Sequence, residues 1–576
     1  MQKIILALTL LCQLAVWNST SVAQSSASEA AATELQFITR VFSTGYAPTN
    51  WKKIHLNWDL KAEYSKALAM VQNKSNLSAL EYRSSIASLL KSTHDYHVGY
   101  SFYTTEAAKL PFLVSGANGR YFIVWINEEK LNKATFPFQV GDELVNFGSQ
   151  TVAAAVDEIK AIQSGAADST DQRLAELLLT SRSAKMNLPV PSGQIIIEAK
   201  RVDPASGKDI KIVRELTWDY TPELVEWKPS FNTGAKVMAA AVSDGTQGIL
   251  SRPQMKWGMQ EDWASSVDAV ENPFQIGGRK SWVPVLGTVI WQADDKDLFH
   301  SYIYRNAEGK LIGYVRIPAY DGQDGKSFEE FKKLIKRFQT TTDALVIDEV
   351  NNPGGSVFYV YALMSVLSVD PIKVPDHAIS LWPQMILDNA EAIEKLSHVT
   401  NDEESQKFFG GKTIDGFPVT YTYSQSALAF ARQVDSYWKS GYKLTPPLFF
   451  EGVDRVNPDP EVNYSKPIVV LINELDFSGG DFFPAILQDN NRAKTFGQRT
   501  SGAGGYIIGV DFPSSLGLKK FSFTGSIARR VNNNPIENLG VTPDYPYQLS
   551  VTDLKDGFSE YKDAVNAAVK AEILAH

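Results

Sequence analysis

From Ile468 to Ile472 the chain runs through five apolar residues without a break, four of them β-branched. A strand of that composition leaves no face for water, so it belongs in a sheet covered on both sides. A Gly-rich turn follows, Ser478-Gly479-Gly480, and then Phe482, Phe483, Ile486 and Leu487 recur at helical spacing. The local prediction is strand, turn, helix. A second unit of the same kind lies upstream, where "DALVIDEV" (343–350) leads through "NNPGG" into the apolar helical run "SVFYVYALMSVL". With "LIGYVRIP" (311–318) as a further strand and "SFEEFKKLIKRFQ" (327–339) as an amphipathic helix, this half of the chain predicts a parallel or mixed sheet covered by helices.

The turn at Ser478 puts a hydroxyl where the first N–H groups of a helix are unpaired and the positive end of its dipole points. An oxyanion would be stabilised there, so a nucleophilic serine fits the place. The same residues also read as an ordinary helix N-cap, with Asp481 as the acidic residue of the first turn. This window alone leaves both readings open.

The chain begins "MQKIILALTLLCQLAVWNSTSVAQ", with one lysine, an apolar run from Ile4 to Trp17, and the small residues Ser21 and Ala23 before Gln24. That pattern predicts a secretory signal peptide over 1–23 and an exported protein, periplasmic or secreted. The run is too short for a comfortable span, and no later segment approaches the roughly 20 apolar residues a membrane helix needs. Cys12 is the only cysteine and lies within the leader, so neither a disulfide nor a thiolate nucleophile is expected afterwards. A net charge of −9 with no basic block argues against nucleic acid as a partner. The seven histidines are scattered. His94 and His97 form the closest pair, and without a third ligand nearby neither a metal nor a cofactor is expected.

About 550 residues remain, enough for roughly three domains. Residues 24–106 read as a helical region, with apolar positions at Leu35, Ile38 and Val41, then Leu60, Tyr64 and Leu68, then Ile86, Leu89 and Leu90. It ends in "STHDYHVGYSFY", where alternation sets Asp95, His97 and Gly99 on one side of a predicted strand or turn. On its residues alone His97 is either a structural histidine or a base, and Asp95 either orients its ring or caps the turn. Residues 107–225 read as short strands with one or two helices. Within them "FQVGDELVNFGSQTVAAAVDEI" resembles the turn and helix of PDZ domains, which bind extended peptide at a sheet edge. Residues 226–282 lack strong periodicity over a length that predicts a functional or mobile segment. Residues 283–576 form the predicted α/β unit and close on a helix from about Gly557 to Leu574. The expected fold class is therefore multidomain α/β: a helical N-terminal region, a PDZ-like α+β domain and a mixed-sheet α/β domain.

"DALVIDEVNNPGG", "VLINELDFSGGDFFPAILQDNNRAKTFGQRTSGAGG" and "IENLGVTPDYP" resemble the oxyanion-hole, nucleophile and closing segments of the C-terminal processing (tail-specific) peptidases. Those enzymes usually draw their base from a lysine in a T-x-G-K-G turn. Here Thr500 to Gly504 reads "TSGAG", with Ala503 in that place, and alanine accepts no proton. "STHDYHVGYSFY" is similar to the histidine segment of the branch typified by the chlamydial protease-like activity factor, which uses a Ser-His-Glu arrangement. The resemblance implies Ser478 as nucleophile, His97 as base and Glu537, in "NNNPIENLG", as the carboxylate behind the imidazole, with Asp95 as its rival. It also implies oxyanion donors at Gly479 and at Gly354 or Gly355, with Asp481 in support. The activity implied is that of a serine endopeptidase acting on polypeptide substrates. A latent precursor opened by self-cleavage within 226–282, and a working homodimer, come with the same resemblance.

Two other readings remain at this point. One is a tail-specific peptidase with Lys494 or Lys519 as base. The other is a non-catalytic binding protein on the same fold, since fold alone never establishes catalysis.

Overall fold

The computed structural model describes residues 26–131, 136–163, 165, 167–227, 254–256, 272–322, 325–512 and 514–576. The predicted leader, with Cys12, and most of 226–282 lie outside the described residues.

Four described helices open the chain: α1 (Ala27–Gly45), α2 (Thr49–Leu56), α3 (Leu60–Val71) and α4 (Ala79–Lys91). Ser26 and Ser78 start α1 and α4 in reciprocal caps with Glu29 and Glu81, the S-x-x-E signature satisfying two orphan donors at each end. The apolar stripes of these helices do not form a separate core. β1 (Tyr100–Phe102) pairs antiparallel with a strand from the far end of the chain, Tyr100 opposite Phe521. Leu35, Ile38, Phe42, Leu89 and Leu90 pack with Leu518, Phe521 and Phe523 of that strand.

The strand expected from "STHDYHVGYSFY" starts only at Tyr100. Residues before it turn, with His94 at φ 49° and the Asp95 carboxylate accepting the His97 N–H at 2.8 Å. A side chain that caps its own turn in this way competes with the strand ladder. Asp95, His97 and Gly99 therefore do not share a strand face.

β2 (Phe112–Ala117), β3 (Arg120–Ile126), β4 (Glu143–Phe147), β5 (Gln194–Val202) and β6 (Asp209–Thr217) form an antiparallel sheet in that order. Helices α5 (Val152–Gln163) and α6 (Asp168–Leu178) cover it, and Phe112, Phe122, Leu144, Val156, Ile159, Leu174 and Ile197 fill the space between. This is the PDZ-like α+β unit. Beyond it the described residues 254–256 form a short strand, β7 (Gln254–Lys256).

The second half is built on a seven-stranded mixed sheet. β8 (Thr288–Gln292), β9 (Ser301–Arg305) and β10 (Leu311–Arg316) are antiparallel neighbours. α7 (Lys326–Thr341) then returns the chain to β11 (Ala344–Asp348), parallel to β10. Next come β12 (Gly354–Ser356) and α8 (Val357–Ser365). An insertion follows, containing α9 (Pro383–Leu396) and α10 (Tyr421–Lys439). β13 (Ile468–Ile472) re-enters parallel to β11, and α11 (Gly479–Asp489) leads to β14 (Lys494–Gly497), parallel to β13. β15 (Ile507–Asp511) and β16 (Leu518–Thr524) make the small sheet that takes β1, and β17 (Tyr545–Pro546) completes the large one before α12 (Ser559–Ala575).

Both faces of the large sheet are covered. Leu345, Ile347, Val470 and Ile472 pack under α7, α8 and α11. Val346, Val469 and Leu471 face α12 and the PDZ-like side. Each such side chain contributes roughly 1.5–3 kcal/mol on leaving water, which is why an unbroken apolar, largely β-branched run predicts a central strand.

Candidate active site

Ser478 stands between β13 and α11 with φ 56° and ψ −111°, a conformation unfavourable for any residue with a Cβ. Its N–H donates to Asp481 Oδ2 at 2.9 Å, while its carbonyl accepts the first helical bond from Phe482 at 2.9 Å. Asp481 also ties down the turn that follows β14. It accepts the Gly502 N–H at 2.8 Å and the Ala503 N–H at 2.9 Å, together with the Thr500 hydroxyl at 2.5 Å. Burial pushes the Asp481 carboxyl up to about 6 against these donors. Ala503 thus adds a backbone amide to the site and no side-chain base.

The loop before β12 presses against the serine. A Cβ on Gly354 would stand 2.7 Å from both Ser478 Cβ and Gly479 N, and one on Gly355 would stand 2.1 Å from the Tyr320 carbonyl oxygen. Glycine is required at both positions, whose φ values of 89° and 148° also favour it. The Gly354 N–H donates to Asn352 Oδ1 at 2.8 Å. Tyr320 holds the loop from behind: its N–H donates to the Gly354 carbonyl, and its carbonyl accepts from Ser356, each at 2.8 Å. Its hydroxyl donates to Glu349 at 2.5 Å. Asp476 accepts the Asn352 N–H at 2.9 Å, so strand end and elbow form one hydrogen-bonded block.

His97 is fully buried. Its segment meets the nucleophile segment through Tyr96 and Phe477, whose rings lie edge to face at 5.5 Å. Among the described residues neither ring nitrogen of His97 has a hydrogen-bond partner. Burial lowers the imidazole to about 4, opposed by the nearby Asp95 charge and assisted by that of Lys52. Asp95 spends its oxygens on the His97 N–H, on Tyr46 at 2.9 Å and on Thr524 at 2.7 Å. It therefore caps the turn.

Glu537 is also fully buried. Its Oε2 accepts the Gly504 N–H at 3.1 Å and its Oε1 meets Lys52 Nζ at 2.5 Å. Burial and the Asp95 charge raise the carboxyl to about 8, and Lys52 pulls against them. Lys52 carries no sequence motif that marks it as a site residue. Tyr320 likewise carries no motif. Lys494 pairs with Asp544 at 3.5 Å with its side chain 41% exposed, and Lys519 is exposed on β16. His94 turns its ring to the Gly165 carbonyl at 3.0 Å, away from any shared arrangement with His97.

The profile of peptidase family S41 matches residues 311–547 and that of the PDZ domain matches residues 106–227. A protein of Chlamydia muridarum, described as uncharacterized, is 34% identical over 568 residues, covering 93% of this chain and 92% of its own. A Chlamydia trachomatis protein is 32% identical over 571 residues, covering 93% and 92%. Among solved structures, mature CPAF complexed with lactacystin is 32% identical, covers 95% of this chain and 99% of its own, and superposes with a TM-score of 0.79. A serine-to-alanine mutant of CPAF, at 31% identity and 95% and 98% coverage, gives 0.81. Fold and relatives together define a serine peptidase with a PDZ-like domain. The chain belongs to peptidase family S41, in the branch of which CPAF is a member.

Proposed function

We propose that this peptidase is an exported endopeptidase that cuts flexible polypeptide through an acyl-enzyme on Ser478. His97 takes the hydroxyl proton as Oγ attacks the scissile carbonyl, and returns it to the leaving amine; a water then repeats the step on the ester. Burial keeps the ring neutral, and so able to accept a proton, over the working range. Glu537 stabilises the imidazolium. The amides of Gly479 and Gly355 receive the oxyanion, each worth about 3–4 kcal/mol in proteases of this general type. Gly355 is preferred to Gly354 because the Gly354 N–H is engaged by Asn352. The working form is proposed to be a homodimer, and the leader over 1–23 to direct export.

The chain is proposed to be latent until cut within 226–282. The observation that carries this reading is β7, which lies antiparallel on β12 with Met255 opposite Gly355. The Gly354 carbonyl and the Ser356 N–H both face Tyr320, so alternation along the strand turns the Gly355 amide toward β7. A segment of the chain's own middle occupies the edge where a substrate strand would lie. The unpartnered His97 ring fits the same unarmed state.

The test is expression from Gln24 beside Ser478→Ala and His97→Ala, following casein digestion and self-cleavage by intact mass. Loss of both activities in both variants is the expected result. A precursor fully active while intact refutes latency, full activity in His97→Ala points to a lysine base, and an unmutated protein inactive even after nicking within 226–282 refutes catalysis.

A further inference from the structure

The ammonium of Lys52 has three protons and three acceptors: Glu537 Oε1 at 2.5 Å, the His94 carbonyl at 2.8 Å and Asn538 Oδ1 at 2.8 Å. Lysine's donor capacity is thereby filled, and the side chain is fully buried. Asn538 is braced from two further sides, donating to the His94 carbonyl at 2.9 Å and accepting from Trp51 Nε1 at 3.1 Å. The three acceptors belong to the segments that carry His97 and Glu537. The remaining oxygen of Glu537 takes Gly504, in the turn that Asp481 fastens to the Ser478 N–H.

We propose that Lys52 is a positioning residue of the reaction: from the helical N-terminal region it holds the Glu537 carboxyl at the junction of the histidine and serine segments and favours its ionised form against the burial that opposes it. The inference rests on the reading of Glu537 as the carboxylate behind His97. Its physical ground is that an acid closed off from water takes up a proton unless a cation stands against it, and a neutral acid does not stabilise an imidazolium. The ionisable groups facing Glu537 are Lys52, Asp95 and the phenol of Tyr46, with His97 beside Asp95 and Lys52. Lys52 is the cation among them. Without it, two carboxylates would share the buried site with no counter-charge.

The experiment compares the processed enzyme with Lys52→Gln, Lys52→Met, Lys52→Arg and Glu537→Gln, reading kcat, KM and the pH profile of kcat/KM on a flexible polypeptide. The neutral variants are expected to lose about tenfold or more in kcat with KM little changed, and their acid limb to move upward by about one pH unit, because removing the cation favours the protonated acid. Lys52→Arg keeps the charge and the parental limb. Parental kcat and limb in a folded neutral variant overturn the proposal, as does a loss of kcat with the limb unmoved, which is the mark of packing alone. Should neither neutral variant fold, a displaced limb in Lys52→Arg overturns it. Parental activity in Glu537→Gln removes the triad reading and this proposal together, whereas an impaired Glu537→Gln beside unaffected Lys52 variants removes only this one.

Discussion

Ser478 holds its hydroxyl at the mouth of α11 by adopting φ 56° and ψ −111°, and strain of that kind costs about 1–3 kcal/mol. Ser478→Gly relieves it. The variant is expected to be inactive yet more stable by about 1 kcal/mol or more in denaturant unfolding; a lower midpoint would mean that the elbow is unstrained. Gly355→Ala has the opposite character. Its Cβ would stand 2.1 Å from the Tyr320 carbonyl oxygen, so the loop must shift and the Gly355 amide leaves its place beside Ser478. A fall in kcat of about a hundredfold is expected, with fluorophosphonate labelling slowed in parallel, as for loss of an oxyanion donor. Unchanged labelling would place the oxyanion elsewhere.

The contact between β1 and β16 joins the start of the chain to its end. α1 and α4 complete their core only with Leu518, Phe521 and Phe523, and α2 supplies Lys52 to Glu537. A chain begun at residue 107 would expose the apolar face of β15 and β16 and strip Glu537 of its cation. It is expected to be insoluble or molten, visible as lost near-UV dichroism; a well-folded product would show that the helical region is an appendage. Helices α9 and α10 carry no site residue and were not anticipated from the sequence. Their amphipathic pattern fits a helix in any context, and nothing local says that they interrupt a strand-turn-helix succession.

Across the molecule several acids are buried beside phenols. Glu34 accepts from Tyr82 and Glu451 from Tyr423, and burial raises them from 4.5 to about 7 and about 8. Between their unfolded and folded values they bind protons that the unfolded chain has released, so their contribution is present at low pH and lost as pH rises through 7 to 8. The buried His97 and His377, lowered from 6.5 to about 4, act the other way: their contribution is lost on acidification and complete above 6.5. Above 6.5 the histidines are complete and Lys91, lowered by burial from 10.5 to about 8, acts against the acids only from about 8 upward, so Tm of the inactive Ser478→Ala protein is expected to fall between pH 6.5 and 7.5. A flat or rising Tm in that window would mean that these acids are ionised in the folded state.

The sequence by itself determined the local units. An unbroken apolar, largely β-branched run predicts a central strand, S-x-x-E starts a helix, and a Gly-rich turn joins strand to helix at Ser478, because each of these is decided by interactions within a few residues. The segments around His97 and Glu537 stood out only through their resemblance to a known family, because no interaction within a few residues distinguishes a base or its carboxylate from a turn residue. The tertiary structure alone decided what their side chains do. Asp95 proved to cap its own turn because Tyr46 and Thr524, far away in sequence, take its second oxygen. Nothing near Lys52 in sequence marks it until α2 is laid against the end of the chain, 485 residues on. Burial is a property of the assembled fold, and it is burial that makes that lysine, its carboxylate and the histidine one electrostatic unit.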